Sequence, residues 1–553
     1  MRIGIIGAGA AAVALLDALA AADRAPGSIT VFDGSPAVWR GRPYQPDLEA
    51  VRVNAPPALM SARADDRAHY ERWLRDRGNG AGRLDERPGT PLVGEEPPRE
   101  HPERTERTAT SRFDPNEDTA RRVGDGLVRA SAARVVERRW RGDDLEQYLD
   151  EGLGVPLVPR GVYGAYLEQT AHAAISRLRA RGGRVSVVNA RVTGFTRQSG
   201  AVLHTDDGGS HPVDRAVLCV GSGRPRDHYG LAGAPGYVNE PYPLATTTAD
   251  VASSAHVAII GSGLTAVDIA AALTAHGHTG PISFLSRSGV LPYVQQRPLP
   301  LAPKHLTPSR ALELAGQGTV ALTRLVELMR AELAELGQDF ESLATEILET
   351  ETEEPATRLR RQLDAVDSPH QGRRLLTMAI RTMGPILWPV LAEHDRTMLR
   401  ERYFRTISSL SSPMVPHNAR IILRLLDSGQ LRLRPGVTKP AARPGGGFTV
   451  FDGTDRPGDV VFNAVNPPAY TTPQETEPLL GALIATGAAE LAPTGGLRIE
   501  SGTRRLLVGD HPDPTWHALG NLAADSMFIA TNPPGLAAEA ASLATHLTTP
   551  PVR

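Results

Sequence analysis

Two short strings constrain this chain more than anything else in it. Gly7-Ala8-Gly9-Ala10-Ala11-Ala12 and Gly261-Ser262-Gly263-Leu264-Thr265-Ala266 each follow a run that reads as a buried strand and precede an alanine-rich run that reads as a helix. The first glycine of such a string permits a tight turn, and the second lets backbone approach a pyrophosphate. The small residue in the last place lets helix and strand pack closely. The pyrophosphate then sits on unpaired N–H groups at the positive end of the helix dipole. Strand, turn and helix therefore predict two dinucleotide sites, with Gly7, Gly9 and Ala12 in one and Gly261, Gly263, Leu264 and Thr265 in the other.

The two units differ where the next strand ends. The strand at 28–32 runs into Asp33, 21 residues beyond Ala12, where a carboxylate accepts from ribose hydroxyls. The strand at 282–286 runs into Ser286-Arg287-Ser288. A carboxylate there would repel a 2′-phosphate, whereas arginine with two hydroxyls would bind one. The expectation is FAD at the first site and NADPH, in preference to NADH, at the second, with hydride passing between them.

The rest of the chain predicts how these units are organised. Its 553 residues allow about three or four domains. Strands are expected at 3–7, 28–32, 216–220, 257–260, 282–286, 431–436, 447–451 and 459–465, with a small antiparallel sheet over 185–188, 192–195 and 202–205. Helices are expected at 10–22, 163–181, 264–276 and 535–548. The fold class is α/β: two Rossmann-like domains, the FAD domain discontinuous, with a helical insertion. Residues 1–245 form the first part of the FAD domain, 246–304 the NADPH domain, 305–430 a helical subdomain and 431–553 the return to the FAD domain. Residues 76–145, rich in Pro, Arg and Glu and poor in large apolar side chains, read as a mobile surface insertion. Val320, Leu322, Leu325, Leu328, Met329, Leu333 and Leu336 follow helical spacing and read as core packing.

Composition excludes several classes. Sixty basic and 62 acidic side chains give a net charge of -2, which leaves no electrostatic footprint for nucleic acid or an anionic membrane. A lone cysteine, Cys219, rules out a disulfide framework, and the lack of a CxxC motif argues against a disulfide reductase. Only Lys304 and Lys439 are available for Schiff-base chemistry. His394, His417, His511 and His517 lack metal-ligand spacing, so no metal is expected, and no GxSxG elbow supports a hydrolase. Met1-Arg2 followed by an apolar run has the form of a secretory leader. The glycines and Asp33 instead favour strand, turn and helix, and the single cysteine fits a cytoplasmic location.

Further strings resemble the FAD/NAD(P)-binding proteins related to N-hydroxylating flavin monooxygenases, among them amino-acid N-oxygenases that convert aspartate to nitrosuccinate. They are Gly41-Arg42-Pro43-Tyr44, Val53-Asn54-Ala55-Pro56, Leu59-Met60-Ser61, the run from Pro159 to Leu167, the glycine string extended to Asp268, and Ser286 to Pro292. The resemblance implies that Tyr44 and the Asn54–Met60 segment approach the isoalloxazine and that a loop holding Thr531 and Asn532 closes over it. It implies a single-component, FAD-dependent and NADPH-consuming N-hydroxylase working through a C4a-peroxyflavin on a small amine or amino acid with molecular oxygen. A homodimer is compatible with it. Asn54, Arg42 and Arg297 are the candidates for catalysis and for binding a substrate carboxylate. The late element Ala464-Val465-Asn466 lacks the family's glycine, and no Baeyer–Villiger fingerprint is present. The alternatives are an NADPH-dependent flavin oxidoreductase or oxidase that inserts no oxygen, and a non-catalytic flavin-binding redox sensor.

Overall fold

The computed structural model describes residues 1–76, 142–348, 353–436, 439–450, 457–467, 471–493, 495–523 and 532–549. Most of the insertion expected at 76–145, and Thr531, lie outside the described residues.

The N-terminal apolar run is the middle of a six-stranded sheet. Strand β1, Arg2–Ile6, is buried from Ile3 onward and pairs in parallel with β2, Ser28–Phe32, and with Arg215–Leu218. The full order is Arg505–Val508, His511–Ala518, Arg215–Leu218, β1, β2, Arg184–Val188, with antiparallel pairing only between the first two. A strand covered on both faces has no polar side to show, which is why β1 reads as continuous Ile and Gly. Helix α1, Ala10–Ala21, lies on one face against helices Arg160–Ala180 and Pro533–Thr548. Its alanines allow these close packings, and Ala12 is fully buried. The opposite face is covered by helix Glu477–Ala485 and by the antiparallel strands Val192–Arg197, Ala201–Thr205 and Ser210–Val213.

The second sheet is wholly parallel, in the order Tyr237–Val238, Val460–Asn463, Val257–Ile260, Ile282–Ser286, Leu431–Pro435. Helices Leu264–Ala275, Pro355–Asp364 and Pro416–Asp427 cover one face, while Leu231, Phe448 and Val450 pack on the other.

Two boundaries differ from the sequence expectation. Arg184–Val188 joins the large sheet beside β2, because helix Arg160–Ala180 acts as a crossover and returns the chain in parallel. Leu431–Pro435 and Val460–Asn463 complete the second sheet, so the chain re-enters the first sheet only at Arg505–Val508. Fully buried Val257–Ile260 needs a hydrogen-bonded neighbour on each side, and Val460–Asn463 supplies one of them.

The helical subdomain packs helices Pro308–Gly316, Leu322–Glu335, Phe340–Leu348 and Gly372–Thr382 around Leu328, Met329 and Leu333. Val320 joins this core and Leu325 borders it, whereas Leu336, past the helix end, is 41% exposed. Glu332 lies buried within the apolar stripe. Its carboxylate accepts the backbone N–H groups of Lys304, His305 and Leu306 at 3.0, 2.7 and 2.9 Å, which fastens the subdomain where the chain enters it.

One glycine decides how closely helix Arg160–Ala180 packs on the Tyr44 segment. A Cβ at Gly164, inside helix Arg160–Ala180, would lie 1.9 Å from the Tyr44 carbonyl oxygen. Gly164→Ala is therefore expected to cost about 1–3 kcal/mol through overpacking and to lower the thermal midpoint. Gly481→Ala, with open space on helix Glu477–Ala485, should be neutral or stabilise by up to about 1 kcal/mol. Differential scanning fluorimetry on both variants checks this.

Candidate functional site

The first glycine loop is built as its sequence requires. Gly7 has φ +97°, and a Cβ there would lie 2.4 Å from the Cys219 carbonyl oxygen. That contact explains why Cys219 sits where it does: its backbone walls the turn, and burial pushes its thiol pKa up. Gly9 caps α1 without any side-chain hydrogen bond, so the first-turn N–H groups have no capping side chain. Gly41, at φ +61°, faces it; a Cβ on Gly9 would stand 3.9 Å from the Gly41 Cα, and the space between is open. The loop bearing Gly41 is drawn in by Trp39, which donates its N–H to the Ala8 carbonyl at 2.7 Å while held at φ +73°. Such a conformation costs a bulky residue on the order of 1 kcal/mol or more. Asp33 braces the loop from the other side, its carboxylate accepting the N–H groups of Ala8 at 2.7 Å and Ser35 at 2.8 Å. Each carboxylate oxygen keeps a second lone pair for a ribose hydroxyl.

Tyr44 turns its ring edge-on to Tyr163, with centroids 4.7 Å apart, in an aromatic cluster that continues through Tyr70 and Tyr166. Burial raises the Tyr44 phenol pKa, with Arg160 opposing. Asn54 is half-buried, and its amide takes no hydrogen-bond partner among the described residues. Met60 is buried in the first core. The loop just beyond it, with Ser61, Arg63 and Arg67, forms a cleft against Pro534 and Ala538 of the last helix. Asn532 caps that helix, accepting the Gly535 N–H at 2.9 Å.

The second glycine loop has the same backbone and different bracing. Gly261 has φ +115°, and Gly263 caps helix Leu264–Ala275 with no side-chain bond and nothing within 4 Å of where its Cβ would be. Where the first loop has a carboxylate, this one has hydroxyls. Ser262 Oγ lies 3.0 Å from Ser286 Oγ and 2.7 Å from the Val290 carbonyl oxygen, and Ser286 accepts the Gly289 N–H at 3.3 Å. Ser286 is thus a loop brace, Thr265 is buried and Leu264 half-buried. Arg287 is exposed and makes no ion pair among the described residues. The Ala464-Val465-Asn466 element borders this loop: a Cβ on Gly261 would stand 3.2 Å from the Ala464 carbonyl oxygen.

A buried clamp joins the two sites. Arg160, at the start of its helix in the first domain, pairs with Asp268 of the second glycine helix at 2.7 Å and donates to the Tyr242 hydroxyl at 3.0 Å. Tyr242 in turn donates to Asp268 at 2.6 Å. Burial disfavours the charge on Arg160, but Asp268 and Tyr242 outweigh it and hold its pKa above the usual value. Burial also pushes the Asp268 carboxyl up, and Arg160 draws it back. The pair stays ionised, because guanidinium does not give up its proton and would otherwise be buried alone. Nearby, Asp47 accepts the N–H groups of Leu244 and Ala245 at 2.9 and 2.7 Å, pinning the crossing segment to the first domain.

Arg42 and Arg297 both carry interdomain ties. Arg42 reaches Glu240 at 3.3 Å and donates to the Asn466 side-chain oxygen at 2.8 Å; the Asn466 amide continues to Thr265 Oγ at 2.9 Å. Arg297 pairs with Asp367 and donates to the Glu151 carbonyl at 3.0 Å. Sequence reasoning missed Arg160, Tyr242, Asp268 and Asp47. The available signal was Asp268 itself, a charge amid Val267, Ile269 and Ala270 that can be buried only if paired.

Residues 4–123 and 128–223 match a protein family described as FAD-NAD(P)-binding. No curated protein matches the sequence. Similar solved structures include the ornithine N-hydroxylase of Kutzneria sp. 744, at 12% identity over 98% of this chain and 97% of that one with a TM-score of 0.47. The reduced ornithine hydroxylase from Pseudomonas aeruginosa is 13% identical over 99% of both chains, with a TM-score of 0.47. The lysine monooxygenase of Nocardia farcinica is 13% identical over 100% of both, with a TM-score of 0.40. Among the described residues no helix is long and apolar enough to cross a membrane, and no group of His, Cys, Asp and Glu is placed to hold a metal ion.

Arg160→Met leaves Asp268 buried without its cation and is expected to cost about 3–5 kcal/mol, seen as a large fall in thermal midpoint. Arg72→Met, which removes an exposed partner of Asp66, should leave the midpoint unchanged.

Proposed function

We propose that this protein is a single-component FAD- and NADPH-dependent monooxygenase that hydroxylates the amine nitrogen of a small amino acid or related metabolite. The observation that carries the reading is the contrast between two glycine-capped helices in one chain. Both lack a capping side chain and keep open space where a dinucleotide pyrophosphate would lie. One is flanked by Asp33 and the other by Arg287 with Ser288. The carboxylate suits the ribose hydroxyls of FAD and repels a 2′-phosphate; the cation suits the 2′-phosphate of NADPH. The match of residues 4–123 and 128–223 to an FAD-NAD(P)-binding family supports a dinucleotide at the first loop.

Gly7, Gly9, Ala12 and Asp33 would hold FAD, and Gly261, Gly263, Leu264, Thr265 and Arg287 would hold NADPH. Ser286 acts indirectly, by fixing the loop. When bound, reduced flavin supplies the oxygen-activating chemistry. The chain supplies position and exclusion of water. The clamp at Arg160 and Asp268 holds the two loops toward each other, and the aromatic cluster behind Tyr44 keeps the first site apolar. Asn54, whose amide has no hydrogen-bond partner among the described residues, would orient a polar atom of the substrate beside the ring. Thr531 and Asn532 belong to the segment that would cover it. Arg42 lies between the two loops, where a substrate carboxylate would compete with Glu240 for it. Arg297, tied to Asp367 and to the Glu151 carbonyl, would act only as a support between domains.

The test is aerobic turnover with NADPH and a panel of small amino acids and amines. The expected outcome is an N-hydroxylated product formed in step with NADPH consumption for at least one of them. Stoichiometric hydrogen peroxide with every amine left intact would favour the reductase or oxidase reading. Arg287→Ala should raise the NADPH KM about tenfold, the loss of one charge-assisted contact, while sparing NADH; equal effects on both remove the 2′-phosphate assignment.

A further inference from the structure

The topology of the second sheet divides a dinucleotide between two strand ends. Val257–Ile260 lies between Ile282–Ser286 on one side and Val460–Asn463 on the other. The chain reaches the first neighbour through helix Leu264–Ala275 and comes to the second only after the helical subdomain. The strand order reverses there, and open parallel sheets bind ligands outside the carboxyl ends of the strands at such a reversal. With the pyrophosphate at the Gly263-capped helix and the 2′-phosphate at Arg287, just past Ser286, the adenosine half takes one side. The nicotinamide half is left with the other, over the end of Val460–Asn463.

Asn466 stands at that end. Its strand runs on into Ala464, whose N–H donates to the Ile260 carbonyl at 2.9 Å, so the element stays beside the second glycine loop. Asn466 is exposed, yet its amide is held at both ends. Oδ1 accepts from Arg42 Nη2 at 2.8 Å, and Nδ2 donates to Thr265 Oγ at 2.9 Å. A guanidinium only donates, so the amide oxygen must face Arg42 and the nitrogen Thr265. Arg42 follows Gly41, which faces Gly9 of the first loop. One side chain thus links the wall of the first loop to the first turn of the second glycine helix. With these two bonds made, the amide keeps a second lone pair and a second N–H. A primary carboxamide offers the matching groups, an N–H and a carbonyl oxygen. The glycine that the family resemblance leads one to expect in this element would have no side chain to offer either.

We propose that Asn466 is a ligand for the carboxamide of the nicotinamide ring, accepting its N–H and donating to its carbonyl oxygen. This rests on the NADPH assignment above and concerns the end of the cofactor that NADPH and NADH share. Arg287 then decides which dinucleotide binds, and Asn466 decides how its ring is turned. Because Arg42 holds the same amide, the ring is oriented against the loop that faces the first site.

The test measures dissociation constants of the FAD-loaded protein by calorimetry, in the wild type and in Asn466→Ala. The probes are NADP+, its 3-acetylpyridine analogue, in which a methyl ketone replaces the carboxamide, and 2′,5′-ADP, which lacks the nicotinamide half. The wild type should prefer NADP+ to the analogue by about tenfold, the loss of one hydrogen bond. Asn466→Ala should abolish that preference by weakening NADP+, with 2′,5′-ADP unchanged. A variant that weakens NADP+ and the analogue equally keeps the preference; Asn466 is then structural and the proposal is overturned. A wild type that binds 2′,5′-ADP but does not distinguish NADP+ from the analogue also overturns it, while the NADPH assignment stands. A wild type that binds neither NADP+ nor 2′,5′-ADP overturns both.

Discussion

The buried pair of Arg160 and Asp268 sets the relation between the two halves of this protein. Taking a guanidinium and a carboxylate out of water costs several kcal/mol for each ion, and only close pairing with further hydrogen bonds offsets it. Here the Tyr242 hydroxyl completes the pair, so a single arrangement of three side chains from three segments satisfies every charge. Such a contact contributes less to net stability than to uniqueness. A small sliding of one sheet against the other would strand both charges. Arg160 opens the helix whose Gly164 receives Tyr44, and Asp268 sits on the helix that Gly263 caps. One interaction thus indexes the first glycine loop against the second.

The two loops repeat one backbone device with different bracing. Both use a glycine with positive φ and a glycine-capped helix with no side chain over its N-terminus. What differs is the group that braces the turn from the next strand. Asp33 does this with a carboxylate, which leaves a negative charge beside the first loop. Ser286 does it with a hydroxyl bonded to Ser262, which leaves the second site neutral until Arg287 adds its charge.

Local devices were legible in the sequence, and partnerships were not. The strand–glycine–helix units, Asp33 and the helices at 10–21, 160–180 and 264–275 follow from spacing within a few residues. The strand at 460–463 could be recognised as a strand, but nothing in Val-Val-Phe-Asn says which sheet it enters; that choice is made by the unfilled edge of Val257–Ile260. Arg42 and Arg297 were singled out as ligands for a carboxylate, and both have carboxylates from this chain, Glu240 and Asp367. In a chain this rich in arginine, residue type alone does not separate a ligand site from a tie between domains. Arg160 and Asp268 each stood inside a recognisable string. Their pairing is a tertiary fact, and only the burial of Asp268 hinted at it.

The central claim is that two dinucleotides occupy two separate sites in one chain. Gly263→Val tests it most directly, since the position has ordinary backbone angles and open space, so the side chain fits the fold while filling the approach to the helix N-terminus. The measurement is the number of FAD and NADP+ molecules bound per chain in the variant and in the wild type. The account requires one FAD per chain in both and loss of NADP+ in the variant alone. Loss of FAD together with NADP+, or undiminished NADP+ binding, would contradict it.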